Sequence, residues 1–179
     1  MFDIIAMGET LIDFTPAGCG GNGSPLFAQN PGGAPANVLA QAARLGGRTA
    51  FIGMVGRDGF GTFLRHTMER SGIDTADLKE TDGAHTTLAF VQLDAQGDRS
   101  FSFYRKPGAD VLLRPEDVDR ERIRNTRIFH FGSLSLTDEP VRSATHMAVR
   151  MAREAGCIVS YDPNYRPPLW PSEAEAKAQ

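Results

Sequence analysis

Six consecutive residues at positions 32–37, Gly-Gly-Ala-Pro-Ala-Asn, combine residue types that bind a polar ligand at the start of a helix. Gly32 and Gly33 lack a Cβ atom, so the backbone can approach a ligand closely. Pro35 suits the first turn of a helix, whose free N–H groups and dipole would lie beside that ligand. Asn37 offers a donor and an acceptor, which matches a hydroxyl group such as those of a sugar. An ordinary glycine loop before a helix would have the same residues, so this stretch alone leaves both interpretations open.

Asp13 is a second candidate binding residue. It lies in residues 11–15, which alternate apolar with polar residues as a half-exposed strand does and follow the buried apolar run 4–7. A carboxylate there would point into the cleft at the carboxyl end of the sheet, where open α/β sheets bind ligands. It could accept two ligand hydroxyls in charge-assisted bonds. The alternative is a solvated edge-strand aspartate that deters aggregation, and Asp13 taken alone fits that simpler role.

Two arginines stand beside the ends of predicted strands. Arg105, preceded by Tyr104, closes a predicted hairpin that turns at residues 94–98, and Arg166 follows the last predicted strand. The planar guanidinium group suits polar oxygens and phosphates. Arginine is also common on ordinary protein surfaces. These residues therefore indicate a ligand only in combination with the others.

Two nucleotide-binding motifs are ruled out by their context. Residues 18–23 satisfy G-x-G-x-x-G but lead into Ser24 and Pro25 rather than a helix, which argues against a dinucleotide fingerprint. A dehydrogenase would need such a loop near Gly8, where Glu9 and Thr10 follow instead. No lysine directly follows a glycine, so a Walker A loop is absent. If the protein uses ATP, it does so without that loop.

An α/β framework would bring the candidate residues together. Strands alternate with helices, which implies a largely parallel central sheet flanked by helices, with the hairpin in a separate small β-sheet. The segment 16–33 is rich in glycine and proline and is predicted to be loop. Strands are predicted at 4–7, 11–15, 49–55, 88–93, 99–104, 127–131 and 157–161, and helices near Pro35, Asp58, Val141 and Ser172.

Composition narrows the class of protein. The chain has 179 residues and a net charge of -3, so we expect no attraction to nucleic acid or to an acidic membrane surface. Cys19 and Cys157 are isolated and lack metal-ligand spacing. With no signal peptide and no apolar run of bilayer length, these features predict a soluble, cytoplasmic protein.

With these residues in view, the chain resembles the ribokinase-like (PfkB) carbohydrate kinases, and within them the fructokinases. The resemblance runs from residues 8–13 to residues 162–166, and the segments 99–110 and 161–170 are the ones most similar to fructokinases. One position departs, because Leu39 stands where a small residue is usual. The first family signature is matched by Gly32, Gly33, Asn37, Gly46 and Gly56.

The resemblance implies a site and an assembly. Strands within about 11–30 and 86–110 would form a lid that closes over the sugar and excludes water. A homodimer formed through this lid is expected. The residues expected to bind the substrate are Asp13, Gly32, Gly33, Asn37, Tyr104, Arg105 and Arg166.

The resemblance also implies a reaction, in which ATP phosphorylates a primary hydroxyl of a ketose, with Mg²⁺ bridging the phosphates. Fructose is the first choice of sugar, and 2-keto-3-deoxygluconate is the alternative. The family's Gly-Ala-Gly-Asp loop, with its proton-accepting aspartate, is expected downstream of Gln179. Residues 1–179 would then be an incomplete N-terminal part of a ribokinase-like domain, inactive alone. A non-catalytic sugar-binding module is the rival interpretation.

Overall fold

The computed structural model describes residues 1–93 and 99–179 and contains two β-sheets. The larger sheet has the strand order β5-β4-β1-β8-β9, and every neighbouring pair in it is parallel. A parallel sheet is covered on both faces, and its central strand β1 is accordingly apolar, with Ile5, Ala6 and Met7 fully buried. Its strands are β1 (Phe2–Met7), β4 (Thr49–Gly56), β5 (Ile73–Thr81), β8 (Thr126–Gly132) and β9 (Ile158–Asp162).

Helices cover both faces of this sheet, as the alternating sequence pattern predicted. On one face, helices α1 (Ala34–Arg44) and α2 (Gly59–Arg70) pack their apolar residues against one core cluster. On the other face, α4 (Val141–Glu154) packs against a second cluster that contains Phe129. Two short helices complete the set, α3 (Arg120–Arg124) and α5 (Glu173–Ala178). None of the helices in the described residues combines the length and the apolar composition of a membrane span.

The predicted hairpin lies in a separate second sheet, which confirms that part of the fold prediction. This sheet has the order β3-β2-β6-β7, with β2 and β6 parallel and the other two pairs antiparallel. The predicted turn at residues 94–98 lies outside the described residues. Its strands are β2 (Leu11–Cys19), β3 (Pro25–Gly32), β6 (Leu88–Leu93) and β7 (Arg99–Tyr104).

The prediction that residues 16–33 form a loop is wrong. Strand β2 continues to Cys19, and β3 returns antiparallel to it, with Leu11 paired to Gly32. Proline removes a backbone donor and is tolerated in strands chiefly at edges. Because β3 is an edge strand that pairs only with β2, it accommodates Pro25 and Pro31. The proline and glycine content of this segment therefore marked an edge strand and a tight turn.

Candidate functional site

The N-terminus of helix α1 is capped by a side chain from another part of the chain. Its N-cap residue is Gly33, which has φ 107° and no side chain to bond the first free N–H groups. A carboxylate from the end of β1 does this instead, since the Glu9 Oε1 atom accepts a hydrogen bond from the Ala34 N–H at 3.0 Å. An acidic group at a helix N-terminus also interacts favourably with the helix dipole. Glu9 thus fixes the entry to α1 from the neighbouring strand end.

The two glycines before α1 are required by close packing. A Cβ atom on Gly32 would collide with the Oδ2 atom of Asp13, and one on Gly33 would collide with the backbone carbonyl oxygen of Glu9. The positive φ of Gly33 also favours glycine. The sequence prediction gave these glycines the purpose of letting a ligand approach. In the structure, the missing side chains make room for the Asp13 carboxylate and for the strand end, and a role in ligand approach stays a prediction.

A cavity of about 160 Å³ lies where these elements meet. It adjoins the carboxyl ends of β1, β8 and β9, the position at which open α/β sheets bind ligands. Four predicted residues are brought together in its wall, namely Asp13, Gly33, Asn37 and Arg166. Gly32 packs directly behind Asp13. The other lining residues are Glu9, Leu11, Ala34, Phe101, Phe103, Leu134 and Asn164.

Opposite charges face each other across this cavity. Burial raises the pKa of the Asp13 carboxyl, and the positive charge of Arg166 partly opposes that rise. The Arg166 guanidinium donates to the backbone carbonyl oxygens of Asn164 at 3.4 Å and Tyr165 at 3.3 Å. Its central carbon also lies 5.8 Å from the centroid of the Phe101 ring. A ligand with several hydroxyl groups would therefore meet an acceptor, an amide and a cation within one small space.

Arg105 lies outside this cavity wall. Its side chain is buried, and its Nε atom lies 2.7 Å from the Asp110 Oδ2 atom. The Nη1 atom donates to the Thr137 hydroxyl and the Nη2 atom to the Leu134 carbonyl oxygen, each at 2.8 Å. These contacts satisfy the guanidinium group internally, as a buried charge requires. A direct contact between Arg105 and a substrate remains a prediction.

Tyr104 lies on the opposite side of the second sheet from Asp13. It is 66% exposed and stacks edge-on against Phe90, with ring centroids 5.5 Å apart. It lines a separate cavity of about 770 Å³ between the second sheet and the start of α2. The structure therefore does not bring Tyr104 together with Asp13 and Asn37, and its role in substrate binding stays a prediction.

Glu9 is the site residue that sequence reasoning missed. It is 3% exposed, lines the smaller cavity and has a pKa raised to about 7, chiefly by burial and also by the negative charge of Asp110. Interactions with the backbone N–H groups of Glu9 itself and of Ala34, and the nearby Arg105 charge, lower the pKa and partly oppose that rise. An acidic residue directly after a buried strand was the available signal. Phe101 and Phe103, which the sequence favoured as core of the hairpin, also line the cavity.

The carboxylates of the cavity do not make an all-protein cage for a metal ion. Across residues 1–93 and 99–179, no group of three or more His, Cys, Asp or Glu side chains is arranged to hold a metal ion. Glu9 and Asp13 both line the cavity, and Mg²⁺ is usually bound by one or two carboxylates together with substrate phosphates rather than by such a group. The described residues therefore fit a Mg²⁺ ion that would be held chiefly by the phosphates of a substrate.

Comparison with known proteins gives a consistent result at both the sequence and the structure level. "Probable fructokinase-3" of Arabidopsis thaliana is 50% identical over 178 residues, covering 98% of this chain and 52% of that protein. Fructokinase from Xylella fastidiosa superimposes with a TM-score of 0.91 at 43% identity, covering 98% of this chain and 56% of that one. A second Xylella structure contains bound ATP, with a TM-score of 0.89, 42% identity and coverage of 98% and 54%.

A fructokinase double mutant from Vibrio cholerae, in a form with bound fructose, ADP and potassium ion, has a TM-score of 0.84 at 35% identity, with coverage of 99% of this chain and 55% of that one. The chain thus spans about half the length of the curated relatives it matches.

A parallel α/β sheet with a small second sheet, and a polar cavity where the two meet, defines the ribokinase-like class of carbohydrate kinases. The family profile described as "pfkB family carbohydrate kinase" matches residues 1–179. The chain belongs to the pfkB family.

Proposed function

We propose that this chain carries the sugar-binding part of an ATP-dependent fructokinase. The observation that carries the proposal is the cavity in which the Asp13 carboxylate, the Asn37 amide and the Arg166 guanidinium converge at the start of α1. These groups bind sugar hydroxyls from several directions, which fixes the orientation of the sugar and presents its primary hydroxyl in one direction. The fructokinases among its relatives support fructose as the sugar.

The second sheet acts in this proposal as a lid over the bound sugar. Asp13 on β2 and two phenylalanines on β7 line the cavity, while Asn37 belongs to α1 of the larger sheet layer. A sugar held between the two sheets would exclude water from the reacting hydroxyl, which protects ATP from hydrolysis. ATP as the phosphoryl donor is supported by the ATP-bound relative. Mg²⁺ would then arrive with the ATP phosphates.

A second candidate substrate is 2-keto-3-deoxygluconate. It is favoured by one observation, the Arg166 guanidinium in the cavity wall, because an arginine pairs well with a carboxylate. Fructose lacks that carboxylate. Calorimetric titration of this chain with fructose, 2-keto-3-deoxygluconate, ribose and glucose separates the two candidates. Tighter binding of fructose supports the proposal, tighter binding of the acid reverses the ranking, and failure to bind any of the four sugars contradicts the proposed site.

The position of the proton-accepting base is also a proposal. We expect the base downstream of Gln179, and we expect this chain alone to bind sugar without transferring phosphate. The measurement is ADP release with ATP, Mg²⁺ and the same four sugars. Turnover by this chain with any of them would contradict that position for the base while leaving the sugar site intact. A cytoplasmic location belongs to the same proposal and is supported by the two isolated cysteines.

A further inference from the structure

The two carboxylate oxygens of Glu9 have different surroundings. The Oε1 atom accepts the hydrogen bond from Ala34 at the start of α1. The Oε2 atom is buried and has no hydrogen-bond partner within residues 1–93 and 99–179. A buried carboxylate oxygen without a partner is energetically unfavourable, and such a group in a native structure is often completed by a ligand or water. Because Glu9 lines the cavity, that ligand is the sugar in our proposed function.

The charged groups near Glu9 do not compensate the charge of its carboxylate. Asp110 lies near enough to raise the pKa of Glu9, while Arg105 lowers it. Arg105 is already paired with Asp110 at 2.7 Å, so its charge is largely neutralised there. The charged groups that share the cavity wall are Asp13 and Arg166. Among the described residues, no cation is paired with Glu9, and Oε2 receives no hydrogen bond. A hydroxyl group of a ligand would supply the missing donor.

We propose that Glu9 is a second sugar-binding carboxylate, in which Oε1 holds the start of α1 and Oε2 accepts a hydrogen bond from a hydroxyl of the bound sugar. This inference rests on the proposed function, because it assumes that a sugar occupies the cavity. It adds to Asp13, which belongs to the second sheet, an acceptor that follows β1 of the larger sheet. It also accounts for an otherwise unfavourable buried acid.

The proposal links sugar binding to a proton. Only the ionised carboxylate offers Oε2 purely as an acceptor. With a pKa of about 7, Glu9 is about half protonated at neutral pH, so binding should release about half a proton per sugar there. The affinity for the sugar should be about fivefold weaker one pH unit below that pKa than at the pKa itself. At higher pH it should rise about twofold more and then become constant. Fructose has no group that titrates in this range, so the proton must come from the protein.

The experiment is calorimetric titration of fructose into this chain and its Glu9→Gln variant at about pH 7, in buffers of different ionisation enthalpy. Glutamine retains an oxygen for the Ala34 N–H, which preserves the helix cap, but it presents an NH₂ donor at the Oε2 position. We expect the wild-type heat to depend on the buffer. In the variant, that dependence should disappear and the affinity should fall about tenfold or more.

Glu116→Gln is the matched control, since Glu116 is exposed and remote from the cavity. It should retain both the wild-type affinity and the proton release. Unchanged proton release in Glu9→Gln would assign the proton to another group, such as Asp13, and would overturn the inference while leaving the proposed function intact. Proton uptake instead of release by the wild type would also overturn it. Absence of fructose binding by the wild type would overturn the proposed function, and this inference with it.

Discussion

Asp13 contributes charge as well as shape to the cavity, and the two contributions can be separated. Asp13→Asn keeps the shape but removes the charge that strengthens its hydrogen bonds to hydroxyls. We expect the affinity for fructose to fall about tenfold or more, measured by calorimetric titration. Asp82→Asn is the control, since the Asp82 side chain is 76% exposed and its ion pair with Arg57 lies at the surface. Equal affinity in Asp13→Asn and wild type would contradict the assignment of Asp13.

The buried acid at position 9 should also affect stability. Its pKa is raised from 4.5 to about 7 in the folded chain, so the folded state retains a proton that the unfolded chain loses between these values. The stability from this group is complete at low pH and is lost as the pH rises through that window. Glutamine at position 9 cannot ionise. The free energy of unfolding of Glu9→Gln should therefore rise, relative to that of the wild type, by up to about 3 kcal/mol between about pH 5 and about pH 8.

Urea unfolding of both proteins at the two pH values measures this difference. Because other carboxyl groups titrate identically in both proteins, only the change in the difference between them reports on Glu9. A constant difference would show that Glu9 ionises as an ordinary exposed glutamate does. A site residue that weakens the fold at the pH where it is ionised is the kind of local conflict that functional sites carry.

At the residue scale, several polar residues that line the cavity were named from the sequence. The residue that holds the start of α1 beside the cavity was not. Asp13, Gly33, Asn37 and Arg166 were expected together because the resemblance to carbohydrate kinases implies one sugar site, whereas each residue taken alone also fitted a simpler role. Glu9 was missed because its burial depends on the packing of α1 against the end of β1. That packing joins residues 25 positions apart, and no local pattern reports it.

At the scale of elements, one aspartate holds both a helix and the entry to the second sheet. Asp58 Oδ1 caps α2 by accepting from the Gly61 N–H at 2.8 Å, and both carboxylate oxygens also accept from Thr86, which lies shortly before β6. Burial raises the pKa of Asp58, but the hydrogen bonds from Thr86 and Gly61 outweigh burial and leave it lowered. This contribution to stability is therefore present at neutral pH and is lost as the pH falls.

Removing this side chain should destabilise the fold more than removing an ordinary cap. We expect Asp58→Ala to lower the free energy of unfolding by about 2 kcal/mol at neutral pH. Asp119→Ala is the matched control, because Asp119 caps α3 locally by accepting from Glu121 and Arg122 N–H groups. Its expected cost is about 1 kcal/mol or less. Urea unfolding measures both, and equal losses would show that the bonds to Thr86 add nothing.

The helices were easier to predict than the edge strands. Helices α1, α2 and α4 each combine an apolar face with a glycine beyond the last turn, and these signals are local. Strand β5 was not predicted, because this edge strand of the larger sheet contains several charged residues. Two of them are held by a partner distant in sequence, since Arg122 pairs with Asp74 and Asp77. The sequence therefore did not predict β5, because two of its charged residues are stabilised by a tertiary contact that no local pattern reveals.

At the scale of the whole molecule, the aromatic face of the second sheet beside the start of α2 is a candidate dimer interface. Phe27 is 46% exposed and Tyr104 is 66% exposed. Phe27 and Tyr104 both stack on Phe90, which forms a continuous aromatic surface. Exposed apolar surface of this kind marks interaction sites. A second copy of this chain is the partner we propose, because a two-fold axis would place the same apolar face on both sides.

The prediction concerns the molecular mass in solution. We expect the wild type to elute at twice the chain mass of 19.4 kDa and the Phe27→Glu variant to elute at the single mass, in size exclusion with light scattering. Leu45→Glu is the control, because Leu45 is 78% exposed at the end of α1, away from the second sheet, and should leave the dimer intact. A monomeric wild type would contradict this interface.

The position of β1 at the centre of the larger sheet has a consequence for biosynthesis. This strand is synthesised before both of its neighbours, since it needs β4 on one edge and β8 on the other. The Thr126 hydroxyl that bonds the Phe2 carbonyl oxygen belongs to a residue 124 positions later. At roughly 5–20 residues per second, an apolar strand with one open edge must wait on the order of ten seconds for its partner. Nascent chains of this protein should therefore depend on chaperones that shield exposed strand edges during translation.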